Sequence, residues 1–304
     1  MSISIKKNEN LQKIINGLMS RYKERVPDVA AVIEAMKKEG LIGETAEIEN
    51  DHIAFRTIGV PFLGIQSLQK IFLHYGYKKM DYYFFPEKKL DAFWYAPPEK
   101  KSPRIFISEL RVKDLSPSAQ SIIKKYTGEV LVDPVTQLDL DDPMAVDLFL
   151  HSSLWSTPAL EDYLALAKES EYAAWVIYNR YYLNHFTVSI HNLRNGYNTI
   201  ADFNAFLERN GFTLNDAGGK IKKSADGNLL QSSTVAEMIE AVFAEGVTHR
   251  ISGSYVEFAE RKLLPQYANL PSSEVKPEHR REGFEAANAD KIFESTYSSQ
   301  TIKR

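Results

Sequence analysis

Cysteine is absent from the sequence. Disulfide bonds, thiolate nucleophiles and Cys-based zinc or iron–sulfur sites are therefore excluded. Long apolar runs are missing as well, since no stretch approaches the roughly 18 residues that a membrane-spanning helix requires. The polar segment 1–10 also lacks the apolar core of a signal peptide. Together these absences predict a soluble, cytoplasmic protein that has no membrane partner.

A strong excess of one charge is missing too. The chain carries 37 Lys and Arg residues against 40 Asp and Glu residues, which gives a formal net charge of -3. This balance argues against a nucleic-acid partner held by bulk electrostatics. The 304 residues include 44% hydrophobic residues, which is enough for one large domain with a full core.

The first candidate site lies in the segment 51–57, which has the sequence Asp-His-Ile-Ala-Phe-Arg-Thr. Its polar and apolar residues alternate, and this alternation predicts a β-strand. Because successive side chains on a strand point to opposite faces, His52, Ala54 and Arg56 share one face. An imidazole, a small residue and a guanidinium on one face indicate the wall of a pocket.

The order of elements that begins at this strand occurs twice in the chain. The first copy continues with an amphipathic helix over 64–75 and strands over 80–85, 90–95 and 104–112; the second has a strand over 184–191, a helix over 199–210 and strands over 219–224, 229–236 and 252–262. An ungapped comparison of the first strands aligns His52 with His185, and the last strands align Glu109 with Glu257. The sequence therefore predicts a repeated βαβββ module.

Helical segments surround the two modules. The spacing of apolar residues predicts helices within 8–40, a largely helical insertion and a short helix over 238–244. We therefore predict an α+β fold in which two βαβββ modules form a cupped mixed sheet, with a helical insertion and helical N- and C-terminal segments. The expected single domain, 1–304, divides into N-terminal helices (1–45), a first module (46–112), the insertion (113–183), a second module (184–262) and a C-terminal segment (263–304).

Each module places a histidine on its first strand and a glutamate on its last. Imidazole nitrogens and carboxylates that converge on the polar face of the sheet predict a site for iron(II), manganese, nickel or zinc. With His52, His185 and Glu257 as ligands, several coordination positions stay open, as in oxygen-activating non-haem iron enzymes. With Glu109 as a fourth ligand, the set is typical of a metal-dependent glyoxalase or isomerase.

Some of these assignments have competitors. His191 shares a strand face with His185, and Glu260 would replace Glu257 if a bulge exchanged the faces of the last strand. Glu109 is a candidate catalytic acid or base, with a fourth metal ligand and a salt-bridge partner of Arg111 as its other possible roles.

Four segments together resemble a known family. They are Asp-His-Ile-Ala-Phe-Arg-Thr at 51–57, Ser-Glu-Leu at 108–110, His-Phe-Thr-Val at 185–188 and Phe-Ala-Glu-Arg at 258–261. With the doubled βαβββ order, the chain resembles the 2-oxoadipate dioxygenase/decarboxylase family, also called hydroxyglutarate synthase, within the vicinal oxygen chelate (glyoxalase-like) superfamily. The resemblance extends over about residues 8–296.

The resemblance implies a reaction and a set of roles. Iron(II) would be held by His52, His185 and Glu257, and Arg56 would grip a substrate carboxylate. The implied reaction cleaves a 2-oxo acid with O2; from 2-oxoadipate it releases CO2 and leaves 2-hydroxyglutarate, an intermediate of lysine catabolism. On an ideal strand Arg56 lies about 13 Å along from His52, and a guanidinium suits a carboxylate better than an ammonium does.

Two alternatives stay open from the sequence alone. A ligand set that includes Glu109 would favour a glyoxalase-like lyase or isomerase that works with nickel, zinc or cobalt and without oxygen. A non-catalytic small-molecule binding protein would bind a carboxylate ligand tightly and hold no metal.

Overall fold

The structure is a computed structural model that describes residues 2–304. Its helices are α1 (Ser2–Arg25), α2 (Pro27–Lys38), α3 (Ile65–His74), α4 (Pro117–Thr127), α5 (Pro143–Leu150), α6 (Leu160–Glu169), α7 (Glu171–Asn179), α8 (Ile200–Arg209), α9 (Ala286–Phe293) and α10 (Ser298–Thr301). Its strands are β1 (Asn50–Ile58), β2 (Lys78–Phe85), β3 (Leu90–Ala96), β4 (Arg104–Leu110), β5 (His185–Ser189), β6 (Lys222–Lys223), β7 (Leu229–Ser233), β8 (Met238–Val242), β9 (Thr248–Ser252) and β10 (Tyr255–Arg261).

These elements belong to two compact units. The first comprises Met1–Arg25, Ala54–Asn184 and Met238–Gly253, and the second comprises Val26–Ile53, His185–Glu237 and Ser254–Arg304. Strand β1 therefore contributes its first residues to the second unit and its last residues to the first. The single-domain organisation and the segment boundaries expected from the sequence stay predictions.

The first βαβββ module consists of β1, α3, β2, β3 and β4. Strand β3 pairs antiparallel with both β2 and β4. Helix α3 buries one apolar face, on which the ring of Phe72 lies 5.5 Å from the ring of Phe55. The chain leaves this helix through Gly76, whose φ of 91° costs a glycine little.

The second module consists of β5, α8, β6, β7 and β10. Strand β10 pairs parallel with β5 and antiparallel with β7, so the sheet of this unit is mixed. Helix α8 packs on it through Phe203, whose ring lies 5.0 Å from that of Phe258. The predicted α+β class, with two βαβββ modules and helical terminal segments, is confirmed.

Four helices, α4 to α7, lie in the stretch predicted as a helical insertion. Helix α7 packs on the first module, because the Tyr172 hydroxyl lies 2.8 Å from the Ser108 hydroxyl on β4. Trp175 of the same helix donates its indole N–H to the Gly253 carbonyl at 2.8 Å. Within residues 2–304 no helix is both long and apolar enough to cross a membrane.

The helix predicted over 238–244 is wrong. This stretch forms β8, which pairs antiparallel with β9 and sets Ile239 opposite Ile251. Apolar residues at helical spacing in so short a segment do not distinguish a helix from a strand. Pairing with a second strand, which the local sequence does not encode, decides the outcome here.

Candidate metal centre

The second compact unit brings together the three residues that the sequence analysis proposed as metal ligands. His52 lies on β1, His185 is the first residue of β5, and Glu257 lies on β10. In the parallel pairing, Glu257 stands opposite Thr187, so that Glu257 lies on the same sheet face as His185 and two positions farther along. All three ligand candidates are buried, with relative exposures of 1%, 5% and 1% for His52, His185 and Glu257.

The donor atoms lie close enough to share one ion. Nε2 of His185 lies 3.4 Å from Nε2 of His52 and 3.0 Å from Oε2 of Glu257, and Nε2 of His52 lies 3.6 Å from Oε1 of Glu257. Bonds of about 2.1 Å to a common ion would separate neighbouring donors by about 3.0–3.4 Å and opposite donors by about 4.2 Å. Two of the three separations lie in the range for neighbouring donors, and the third, 3.6 Å, is closer to that range than to the separation of opposite donors. The group therefore fits a divalent ion bound on one side, and it is the one group of this kind in residues 2–304.

A carboxylate supports the His52 ring from behind. Nδ1 of His52 lies 2.8 Å from Oδ1 of Asp51, which directs Nε2 toward the other donors. Arg261 in turn donates to both Asp51 oxygens, from Nε at 2.6 Å and from Nη2 at 2.9 Å. Arg261 is 2% exposed and also donates to the Gly283 carbonyl at 2.7 Å. This buried Asp51–Arg261 pair fixes the orientation of the His52 ring and is not a surface ion pair.

A second chain of hydrogen bonds holds the carboxylate. The Gln231 amide donates to Oε1 of Glu257 at 2.6 Å, and the Asn288 amide donates to Oε1 of Gln231 at 2.9 Å. Gln231 lies on β7 and Asn288 on α9, so the C-terminal segment supports the ligand through one intermediate. Outer contacts of this type fix the orientation of metal ligands.

Aromatic rings form the apolar walls of the centre. The ring of Phe284 stands edge-on to His52 at 4.7 Å, and the ring of Tyr255 lies 4.8 Å from that of His185. Thr187 adds a hydroxyl 3.0 Å from Nε2 of His52. At such buried positions, charges interact more strongly than they do in water.

The charges of the three residues affect one another's protonation. Burial opposes ionisation of Glu257, but the charges of His52 and His185 outweigh it and lower the pKa of Glu257 to about 2. Burial likewise opposes protonation of His52, but the Glu257 charge and the Asp51 hydrogen bond raise its pKa above the ordinary value. Glu257 and Asp51 therefore favour the protonated form of the His52 imidazole over its neutral form.

Metal affinity is expected to fall as the pH falls through the raised pKa of His52. The ion binds neutral imidazole, so binding must release this proton. The folding stability of protein without bound metal should change with pH in the opposite direction. The part of that stability that comes from protonated His52 is fully present below about pH 6.5 and is lost as the pH rises through the pKa of His52 in the folded protein. Chelator competition between about pH 6 and pH 9, with correction for protonation of the chelator, measures the first effect.

A matched variant identifies the group responsible for this pH dependence. Asp51→Asn weakens the hydrogen bond that raises the pKa of His52, so the midpoint of the affinity profile should move to lower pH. An affinity that stays constant across the range in the unmodified protein would contradict this account.

Arg56 lies in the first compact unit and is 1% exposed. Its guanidinium carbon lies 5.0 Å from the centre of the Tyr172 ring and 5.1 Å from that of Trp175. Both rings belong to α7, so the helical insertion supplies the aromatic surroundings of the residue predicted to bind substrate. Flat rings favour contact with a planar guanidinium.

Glu109 has the contacts of a residue that anchors a helix. Its Oε2 accepts a hydrogen bond of 2.6 Å from the backbone N–H of Ile65, the first residue of α3. The fit is close, because a Cβ on Gly64 would come within 2.0 Å of this oxygen. Burial raises the pKa of Glu109, and the Ile65 bond acts against that rise. Its proposed partner Arg111 pairs instead with Asp91 and Asp114.

The second module contains the same anchor, and it corrects the predicted alignment of the repeat. Oε2 of Glu260 accepts a hydrogen bond of 2.8 Å from the backbone N–H of Ile200, the first residue of α8. Glu109 and Glu260 are each the second-to-last residue of the closing strand. The counterpart of Glu109 is therefore Glu260, and the position equivalent to Glu257 holds Phe106. The two modules therefore contribute two histidines but only one carboxylate to the donor group.

The remaining competitor is His191, whose Nδ1 accepts a hydrogen bond of 3.3 Å from the backbone N–H of Arg261. Burial, with a contribution from the charge of Arg280, lowers its pKa to about 4. His191 is thus a neutral neighbour of the Arg261 strand and does not belong to the donor group.

Comparison with known proteins gives consistent results. The model of the 2-oxoadipate dioxygenase/decarboxylase family matches residues 14–274. The chain is 43% identical to a chloroplastic 2-oxoadipate dioxygenase/decarboxylase of Arabidopsis thaliana, over 96% of this chain and 79% of the relative. The corresponding chloroplastic/amyloplastic protein of Oryza sativa subsp. japonica is 42% identical, over 96% and 80%.

A solved structure extends the similarity to the fold. The crystal structure of the hydroxyglutarate synthase of Oryza sativa, in complex with 2-oxoadipate, matches with a TM-score of 0.88. It is 41% identical to this chain and covers 98% of this chain and 95% of its own. The predicted cytoplasmic location is wrong on these comparisons, because the relatives are plastid proteins.

Proposed function

Because this chain belongs to the 2-oxoadipate dioxygenase/decarboxylase family, we propose that it binds iron(II) through His52, His185 and Glu257 and converts 2-oxoadipate and O2 into 2-hydroxyglutarate and CO2. The observation that carries the metal assignment is the buried group of two imidazoles and one carboxylate, whose donors are mutually 3.0–3.6 Å apart. Sites of this composition with open positions are typical of non-haem iron oxygenases. Manganese, nickel and zinc accept the same donors, so the proposal of iron rests on the oxygen chemistry.

The overall reaction balances with oxygen as the oxidant. The bond between C1 and C2 of 2-oxoadipate breaks and C1 leaves as CO2. One oxygen atom of O2 completes the new carboxylate at the former C2, and the other becomes the hydroxyl on the adjacent carbon. The substrate loses four electrons, which reduce the two oxygen atoms, so the reaction needs no separate reductant. When bound, iron(II) would supply both the Lewis acid and the redox centre for this exchange.

The side chains of the metal centre have separable tasks in this proposal. His52 and His185 act as neutral nitrogen donors, and Glu257 provides the negative charge. Asp51 keeps the Nδ1 proton of His52 in place, so that Nε2 stays available. The rings around the centre limit the entry of water, which protects reactive states from side reactions.

We assign Arg56 to the substrate's distal carboxylate. It shares the periodicity of the His52 strand face, and the rings of Tyr172 and Trp175 support its planar group. A buried guanidinium pairs with a carboxylate through two parallel hydrogen bonds. A 2-oxo monoacid has no distal carboxylate and could not form this pair. The role would make Arg56 responsible for the preference for a diacid.

Glu109 receives a different role from the catalytic one expected from its sequence position. Its bond to the N-terminus of α3 supports a structural role in fixing that helix to β4. The glyoxalase-like alternative depended on Glu109 as a fourth metal ligand. The hydrogen bond from the Ile65 N–H to the Glu109 carboxylate supports a different role for this residue, and so it does not favour that alternative. The matching contact of Glu260 on α8 supports the same role in the second module.

Oxygen uptake tests the proposed reaction. Protein loaded with iron(II) under anaerobic conditions should, on addition of air and 2-oxoadipate, consume one O2 for each CO2 released. Protein loaded with zinc should consume none, since zinc has no redox chemistry. Turnover of the substrate without oxygen by nickel- or zinc-loaded protein would replace this proposal with a lyase or isomerase.

A further inference from the structure

The first compact unit contains a cavity of about 350 Å³ that shares no residue with the metal centre. It lies where the last turn of α7 meets the end of α5 and strand β8. Its polar lining includes Arg25, His151, Tyr178, Asn179, Arg180 and Tyr182. A volume of this size suits a small metabolite.

Two guanidinium groups in the wall have only neutral partners. Arg25 donates to the side-chain oxygen of Asn179 and stacks on Tyr182, with 4.1 Å from its guanidinium carbon to the ring centre. Arg180 donates to the carbonyls of Tyr178 at 3.1 Å and Trp155 at 2.7 Å. Neither guanidinium forms an ion pair within residues 2–304. The acidic residue of the lining, Glu240, is solvent-exposed.

The wall also contains polar atoms whose hydrogen-bonding capacity is unused. Nε of Arg180 and Nε2 of His151 are buried and have no partner in the described part of the chain. Burial lowers the pKa of Arg25 and of Arg180; the charge of Glu129 acts against this for Arg180, whereas no carboxylate does so for Arg25. Both arginines are half-buried, and a partly desolvated cation without a paired carboxylate gains from an anion bound beside it.

Backbone strain holds one of these cations in place. Arg180 follows the last residue of α7 with φ 56° and ψ -128°, in a region that side chains other than glycine rarely adopt. Such strained conformations tend to occur at functional sites. Arg180 in this conformation lines the same cavity as Arg25.

We propose that this cavity is a second ligand site, which binds the phosphate or carboxylate group of a small metabolite between Arg25 and Arg180. Both guanidinium groups would donate charge-assisted hydrogen bonds to the oxyanion. The aromatic rings of Tyr178 and Tyr182 would contact the rest of the molecule. The site is independent of the metal and of the reaction proposed for it.

Calorimetric titration of the metal-loaded protein tests the site, with inorganic phosphate and glutarate as separate probes and sodium chloride at equal ionic strength as the reference. At least one oxyanion should bind saturably, and the probe that does so identifies the group that the cavity prefers. Arg180→Gly and Arg25→Gln should weaken this binding roughly 10- to 100-fold. Arg194→Gln, which changes an exposed arginine of the second unit, should leave it unchanged.

Arg180→Gly keeps the test decisive, since glycine adopts the positive φ of this position without strain and the variant should fold. Thermal unfolding verifies this, and His52→Ala shows whether the signal comes from the metal centre instead. Binding that persists in Arg180→Gly, that disappears in His52→Ala, or that sodium chloride reproduces would overturn the proposal. The proposal would also be overturned if neither phosphate nor glutarate bound to the unmodified protein.

Discussion

A Glu257→Gln variant is expected to fold and to lose metal affinity by more than 100-fold, with turnover lost in proportion. Glu257 supplies the only carboxylate of the donor group, and glutamine keeps its shape while removing its charge. Loss of an outer contact to a metal ligand already costs about 10- to 100-fold, so loss of the charged ligand itself should cost more. Metal content after anaerobic dialysis, together with oxygen uptake, measures both effects.

Glu260→Gln is the matched control, three residues along the same strand. Its carboxylate points to the opposite face and anchors α8 through Ile200, so this change should lower the unfolding temperature and leave metal affinity intact. If Glu257→Gln retained the metal and Glu260→Gln lost it, the ligand would be Glu260 and the assignment of strand faces would be wrong.

Arg56→Met is expected to abolish the preference for a diacid. A buried carboxylate that loses its charged partner costs about 2–5 kcal/mol, so kcat/KM for 2-oxoadipate should fall roughly 30- to 5000-fold. For 2-oxohexanoate, which has a methyl group in place of the distal carboxylate, kcat/KM should change little. The unmodified protein should discriminate strongly between the two substrates, and the variant should not.

Two further variants separate recognition from folding in this experiment. Arg56→Lys keeps the charge but not the two parallel hydrogen bonds, so it should recover only part of the discrimination. Arg111→Met removes an arginine that pairs with Asp91 and Asp114, and it should affect both substrates equally or not at all. An equal loss for both substrates in Arg56→Met would show that Arg56 acts through stability alone.

The parts of the site that the sequence predicted are those with local or repeated signals. Alternation along 51–57 placed His52 on a strand face, and the second copy of the module pointed to His185. Glu257 came from its alignment with Glu109, which the structure corrects, and from the family resemblance. The structure brings these three side chains together in one unit, because the repeated order of elements largely determines which strands become neighbours.

The supporting residues could not be predicted in the same way. Gln231 and Asn288 reach Glu257 through strand pairing and docking of the C-terminal helix, and neither is visible in local periodicity. The sequence did contain signals for the two residues that support His52. Asp51 directly precedes His52, and Arg261 lies four residues after Glu257 on the same strand face. In the structure Asp51 hydrogen-bonds to the His52 ring and Arg261 donates to Asp51, so both residues orient His52.

The predicted equivalence of Glu109 and Glu257 was wrong for a physical reason. Modules that share an element order can differ in loop and strand length, so an alignment by residue type alone can slip within the closing strand. The bonds from Glu109 to α3 and from Glu260 to α8 fix the correct correspondence. In that correspondence Phe106 holds the position equivalent to Glu257, which favours three protein ligands over four.

The oxygen assay becomes most direct when it is run in ¹⁸O₂ with iron-loaded protein and 2-oxoadipate, with mass spectrometry of the product. The proposed reaction places one oxygen atom of O2 in the new carboxylate and the other in the hydroxyl. The 2-hydroxyglutarate should therefore be heavier by four mass units, and the CO2 should be unlabelled. An unlabelled product, or a product formed equally well without oxygen, would contradict the assignment of this centre as a dioxygenase.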